Sequence, residues 1–156
     1  MPRILLAIDG SKQSDAAVDA VARHLGPAGS EVRVISVVAP PYIADTFSGG
    51  GVNTSLYVEL EHAARELARA SVDKAAAQLR SDKDSRHLTV TTEVLSGSPK
   101  QAILEDAEAF GADWIVVGSH GYGMLGRFML GSVSQAVALH ATCSVAIVRR
   151  PNTPVT

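Results

Sequence analysis

Glycines crowd one stretch of this chain, GSHGYGMLGRFMLGS from Gly118 to Ser132, and glycine lets a backbone turn tightly or approach a ligand closely. Gly121, Gly123 and Gly126 spell G-x-G-x-x-G, the dinucleotide fingerprint. That chemistry needs a helix opening at the third glycine and an acid about 20 residues on for the ribose hydroxyl. Here Gly126 is followed by Arg127-Phe128-Met129-Leu130, and no Asp or Glu follows Asp113. The Walker pattern also fails, because it requires a lysine and the last one is Lys100. What survives is a glycine turn at Gly118 and Gly121, an apolar arch, and Gly131-Ser132 opening a helix.

A helix front leaves backbone N–H groups unpaired and carries partial positive charge, so Gly131, Ser132 and Val133 are placed to receive phosphate oxygens. Ser132 and Ser134 add hydroxyls, and Arg127 can close over the anion. A tight turn followed by a serine cap explains the same residues without any ligand, and both readings stand at this point. Asp9, ending the first apolar run, reads either as a binding carboxylate or as a strand-ending carboxylate that caps the turn into the first helix. His120 within the turn reads more simply as a structural histidine than as a catalyst. Its neighbour Ser119 does not make a nucleophile and base pair with it, since sequence neighbours seldom face each other productively. The histidines at 24, 62, 87, 120 and 140 have no metal-ligand spacing. Magnesium would arrive with a triphosphate, held by its oxygens, water and Asp9.

Elements must position these groups. Ile4–Ile8 is a short apolar run ending in Asp9-Gly10-Ser11, as a buried strand does. Ser14 is the expected N-cap of a helix carrying Val18, Val21, Ala22 and Leu25, closed by Gly26-Pro27. Val32–Val38 reads as a second strand, and 39–55, with Pro40-Pro41 and Gly49-Gly50-Gly51, as a long connection. A long helix is expected from Leu56 to Arg80, its buried stripe marked by Leu60, Ala64, Leu67, Ser71, Ala75 and Leu79. Leu88–Leu95 is the third strand. Ser98-Pro99-Lys100-Gln101 looks like a capping box opening a helix. Trp114–Val117, a helix over Val133–His140 and a strand over Ser144–Val148 complete an alternating order. Strands alternating with helices imply a parallel sheet with helices on both faces, and ligands gather beyond its carboxyl ends where strand order reverses.

With 156 residues, 46% hydrophobic and 19% charged, the chain has the bulk of one globular domain, expected over 1–150 with a tail at 151–156. A net charge of -2 gives no electrostatic reason to seek nucleic acid or an acidic membrane. The lone Cys143 excludes an intramolecular disulfide and suits a cytoplasmic setting, where it reads as a small buried residue. The apolar start is too short for a membrane span.

Gly118-x2-Gly121-x9-Gly131-Ser132 resembles the G-2x-G-9x-G-[ST] ATP-binding signature of the universal stress protein family, and ILLAIDGS at the start and CSVAIV near the end are similar to that family too. The resemblance implies a flavodoxin-like, adenine nucleotide alpha hydrolase-like three-layer sandwich with a five-stranded parallel sheet ordered 3-2-1-4-5. It further implies a homodimer paired through Ser144 to Val148. Carried over by position, Ala7 lies beside the adenosine, Asp9 near the ribose or the metal, and the Val37 backbone at the adenine edge. Gly118, Ser119, His120 and Gly121 match the phosphate and ribose turn, while Gly131, Ser132, Val133 and Ser134 match the triphosphate end. Gly123 and Gly126 depart from the pattern within the arch.

The expectation is a nucleotide-dependent stress regulator binding ATP, AMP or cAMP, with Mg accompanying ATP. It binds more than it transforms, because no base or transition-state clamp for fast phosphoryl transfer is evident. A slow ATPase or adenylyl-transfer relative, and an interaction module with a vestigial pocket, are the alternatives.

Overall fold

The computed structural model describes residues 1–41, 54–81, 87–120 and 130–150. Five strands form one parallel sheet: β1 (Arg3–Ala7), β2 (Glu31–Val38), β3 (Thr89–Ser96), β4 (Trp114–Gly118) and β5 (Ser144–Val148), ordered β3-β2-β1-β4-β5. The central pairings run Ile4 beside both Val32 and Trp114, and Ala7 beside both Ile35 and Val117. Helices α1 (Lys12–Ala20), α2 (Thr54–Ser81), α3 (Pro99–Phe110) and α4 (Ser132–His140) make the crossovers. Strand and helix alternate as the sequence pattern requires.

Side-chain alternation divides the core in two. Ile4, Leu6, Val32, Val34 and Val116 meet Val18, Val21, Val72 and Leu79 of the α1 and α2 layer. Leu5, Ala7, Ile35, Ile115 and Val117 point the opposite way, against Ile103, Ala107 and Val137 of α3 and α4. A continuous apolar run such as ILLAI is therefore a consequence of burial on both faces.

Local chemistry differs from expectation at three helix ends. Ser11, not Ser14, caps α1, its hydroxyl accepting the Ser14 N–H. The helix then loosens into a π-helical turn over Val21–Leu25 before Gly26. At α3, Ser98 occupies the cap position without a side-chain hydrogen bond, and Gln101 instead donates to Glu105 at 2.7 Å. No capping box forms, but Pro99 opens the helix and Gly111, at φ 68°, ends it in the left-handed conformation.

The buried stripe of α2 is Ala68, Val72, Ala75, Ala76 and Leu79, whereas Leu60 is 49% and Leu67 72% exposed. The expected stripe advances by four residues at most steps, which rotates it by about 40° each time, so it meets the sheet only at Ala75 and Leu79. Length explains the rest. A 28-residue helix spans about 42 Å, while eight-residue strands reach about 26 Å, so the first turns extend past the sheet.

On the α3 face, beside the last turns of α3, lies an ionic cluster. Arg33 of β2 pairs with Glu93 of β3 and with Asp106 of α3, and its guanidinium lies over the Phe110 ring. Burial raises the Asp106 pKa above the ordinary carboxylate value, with Glu93 adding to the rise and Arg33 opposing it. An acid with a raised folded-state pKa weakens the fold as pH climbs from its unfolded value through the folded one. Urea midpoints should therefore show Asp106→Asn gaining stability relative to the unmodified protein as pH rises from below 4 into the neutral range; a constant difference would contradict the burial effect. In the same assay, Leu79→Ala should cost about 2–5 kcal/mol, and Leu67→Ala should stay within about 0.5 kcal/mol.

Candidate functional site

The chain leaves β1 toward β2 on one side, and leaves β4 toward β5 on the other, so the two central strands part company at their carboxyl ends. A crevice is forced there, since the two connections cross to opposite sides of the sheet. It contains a cavity of about 580 Å³, within the range of small-ligand sites. Ala7, Ile35, Val37 and Val117 from the strand ends, with Pro99 and Ile103 from α3, form an apolar slot. Asp9 and Ser14 stand on the α1 side, and Leu130 to Gln135 bring in the front of α4.

Asp9 lies two residues past the end of β1, after Ile8, and is held by a compact turn through Gly10, whose φ of 81° suits glycine. Its Oδ1 accepts from Ser14 Oγ at 2.7 Å and from the Ser11 N–H at 2.9 Å, while its own N–H donates to Ser14 Oγ at 2.9 Å. Asp9 thus caps the turn and lines the cavity at once. The hydrogen bonds bear out the turn-capping reading of this residue.

At the end of β4, a Cβ on Gly118 would lie 2.9 Å from the Gln13 carbonyl carbon and 3.0 Å from its oxygen. Glycine is demanded there by the close approach of the α1 backbone. Ser119 follows, buried, with its N–H donating to Val148 O at 2.9 Å. Its carbonyl accepts from the Gly131 N–H at 2.8 Å and from Ser134 Oγ at 3.0 Å. The front of α4 is thereby fastened to the turn after β4.

That fastening changes which donors remain. The Gly131 N–H, expected at the phosphates, is engaged by Ser119, and the Ser134 hydroxyl is shared between Ser119 O and Gly131 O. The amides of Ser132, Val133 and Ser134 have no side-chain cap and begin the helix, where the fold supplies no acceptor among the described residues. Ser132 is exposed and Val133 half-buried.

Ser119 and His120 do face each other, contrary to the expectation for sequence neighbours: Ser119 Oγ lies 2.9 Å from His120 Nδ1. The pair still lacks the geometry of a nucleophile and base. Ser119 is only 1% exposed and does not line the cavity, and His120 Nε2 is buried with no orienting carboxylate among the described residues. Burial also raises the Cys143 pKa, the direction expected of an inert thiol.

The fold gathers Ala7, Asp9, Val37, Gly118, His120, Gly131, Ser132, Val133 and Ser134 around one cavity, with Ser119 behind the wall. Gly121 and Arg127, with the arch between them, lie outside the described residues, as do most of 39–55 and the tail at 151–156. Ser14, Ile35, Pro99 and Ile103 line the cavity without having been singled out for it. Ser14 carried a signal in its spacing from Asp9; Ile35 and Ile103 read as ordinary core positions. No helix among the described residues is long and apolar enough to cross a membrane.

The model of the universal stress protein family matches residues 1–149. The universal stress protein YxiE of Bacillus subtilis is 35% identical over 150 residues, covering 94% of this chain and 98% of its own. A universal stress protein of Mycolicibacterium smegmatis is 30% identical over 145 residues, and this chain spans about half its length, 47%. Among solved structures, the universal stress protein UspA from Lactobacillus plantarum superposes with a TM-score of 0.74 at 25% identity, covering 95% of this chain and 97% of that one. A family protein from Arabidopsis thaliana with AMP bound (TM-score 0.64, 15% identity, 97% and 93% covered) and a universal stress protein in complex with cAMP (0.55, 20%, 94% and 95%) share the fold. With the family model matching nearly its whole length, this chain belongs to the universal stress protein family.

Proposed function

We propose that this protein binds an adenine nucleotide in the crevice between β1 and β4 and acts as a nucleotide-dependent regulator. One observation carries the reading: the open amides of Ser132, Val133 and Ser134 border the same cavity as the apolar slot of Ala7, Ile35, Val37 and Ile103. Amides at a helix front suit a phosphate, and a flat apolar slot suits a base. AMP and cAMP in the two related structures support a mononucleotide over a dinucleotide.

ATP fits the same reading, with its phosphates along the front of α4 and the backbone of Val37 at the adenine edge. Gly121 and Arg127 would join from the arch. Asp9 is the only carboxylate among the described lining residues, so a magnesium ion would be held mainly by phosphate oxygens, with Asp9 as its one protein anion. Those lining residues include no lysine or arginine, which favours binding over rapid phosphoryl transfer. The edge strand β5, half-buried at Val145, Ala146, Ile147 and Val148, suits pairing with a second copy. Sedimentation as a monomer at micromolar concentration would count against that pairing alone.

The amide assignment has a direct test. Proline is tolerated at the first helical position and removes only its N–H there, and Gly131, at φ -64° and ψ 159°, already has the conformation a following proline needs. By calorimetry, Ser132→Pro should weaken ATP binding by about tenfold or more, as expected for a lost hydrogen bond to an anion, while Ser132→Ala, which keeps the amide, weakens it less. No saturable binding by the unmodified protein, or equal binding by Ser132→Pro, would overturn the proposal.

A further inference from the structure

Helix α2 carries a second apolar face that the sheet does not cover. At about 100° per residue, Leu60, Ala63, Leu67 and Ala70 fall within about 80° of one another, and about 100° or more from the mean direction of the buried Ala68, Val72, Ala75, Ala76 and Leu79. All four are exposed, Leu67 to 72%. Single exposed leucines are ordinary. Here the steps between residues alternate three, four and three, the seam of a coiled coil, and Leu60, Ala63, Ala64 and Leu67 stand at the i, i+3, i+4 and i+7 positions through which a helix anchors to a partner.

Charge follows the same repeat. Glu59, Glu66 and Asp73, seven residues apart and all exposed, flank the seam on the side away from the sheet, while Tyr57, Ala64 and Ser71 flank it on the sheet side without charge. Lys74 ends the seam, and His62 and Arg69 stand beyond the acidic row. Among the described residues Glu59 and Asp73 pair with no cation, and Glu66 meets only His62, at 3.5 Å.

Flanking charges of this kind select the partner. An antiparallel second copy would set Glu59 against Asp73 and Glu66 against its own counterpart, like charge on like, and a parallel copy would set the acids against uncharged Tyr57, Ala64 and Ser71. The proposed pairing through β5 would leave this face open, because α2 lies over β2 and β3, and β3 is the opposite edge of the sheet. We propose that the exposed seam of α2 docks an amphipathic helix of another protein, one whose apolar stripe is bordered by lysine or arginine. The surface belongs to the α1 and α2 layer, across the sheet from α3 and α4, and does not depend on the nucleotide reading.

The test titrates the full chain into fluorescent three-heptad peptides with leucine at the two seam positions and either lysine or glutamate at the two flanking positions, and reads anisotropy. The lysine peptide should bind about tenfold or more tightly than the glutamate peptide. Leu67→Asn should weaken the lysine peptide by about tenfold while the melting temperature of the protein stays within about 2 °C. Val58→Asn, which alters a residue of similar exposure on the other side of the helix, should leave binding within about twofold. Glu59→Lys combined with Glu66→Lys should reverse the preference toward the glutamate peptide, which general stickiness of the leucines would not do. Equal affinity for the two peptides, no binding of either, or lysine-peptide binding that Leu67→Asn leaves unchanged would overturn the proposal. So would a dimer in sedimentation that Leu67→Asn turns into a monomer, since the face would then belong to a second copy.

Discussion

Ser119 O accepts two hydrogen bonds, from the Gly131 N–H at 2.8 Å and from Ser134 Oγ at 3.0 Å, and this shared acceptor sets where helix α4 begins. Ser134 is buried, so its hydroxyl must be satisfied internally, and the Ser119 and Gly131 carbonyls are its acceptors. With Gly131 and Ser134 committed to the fold, the next amides are held open at a fixed place. The anion binding proposed here would rest on backbone dipoles that need no side-chain charge. That is consistent with a C-terminal segment that contains no acid after Asp113.

The parallel sheet does the remaining placement. β1 and β4 are adjacent, and their carboxyl ends carry Asp9 and Gly118 to the same crevice from opposite ends of the sequence. The close approach of α1 to β4 at Gly118 closes the gap behind Asp9, leaving the cavity to open on the α3 and α4 side. A side chain at Gly118 would push against the Gln13 backbone, on the same turn of helix that supplies Ser14. Packing and site geometry are therefore not separable at this position.

Much of this was legible in the sequence because its signals are local and periodic. ILLAI, the β-branched run at 32–38 and SVAIV read as strands by composition alone, and alternation with helices dictated a parallel sheet. The family resemblance supplied the strand order and the positions around the cavity. What escaped was decided by tertiary geometry. Ser14 looked like a cap because cap chemistry and carboxylate chemistry use the same hydroxyl; only the three-dimensional turn shows Ser11 capping and Ser14 bound to Asp9. Leu60 and Leu67 looked like core because nothing in periodicity says where a sheet ends beneath a long helix. Gly118 looked like a ligand-facing glycine, yet its need for no side chain arises from α1 behind it.

Ser119 also joins the site to the edge of the sheet. Its N–H donates to Val148 O at 2.9 Å, the last residue of β5, while its carbonyl holds the front of α4. One peptide unit away from the cavity wall, the same residue thus bonds to both the helix that borders the cavity and a strand at the edge of the sheet. A ligand that pulled the first turn of α4 toward itself, as the proposed function requires, would act on Ser119 O, which is tied through its N–H to β5. Since packed elements shift as rigid units more readily than they deform, such a displacement would be passed to β5. On the proposed reading, the residue that holds the front of α4 is thus also bonded to an edge strand of the sheet, where a second copy would pair.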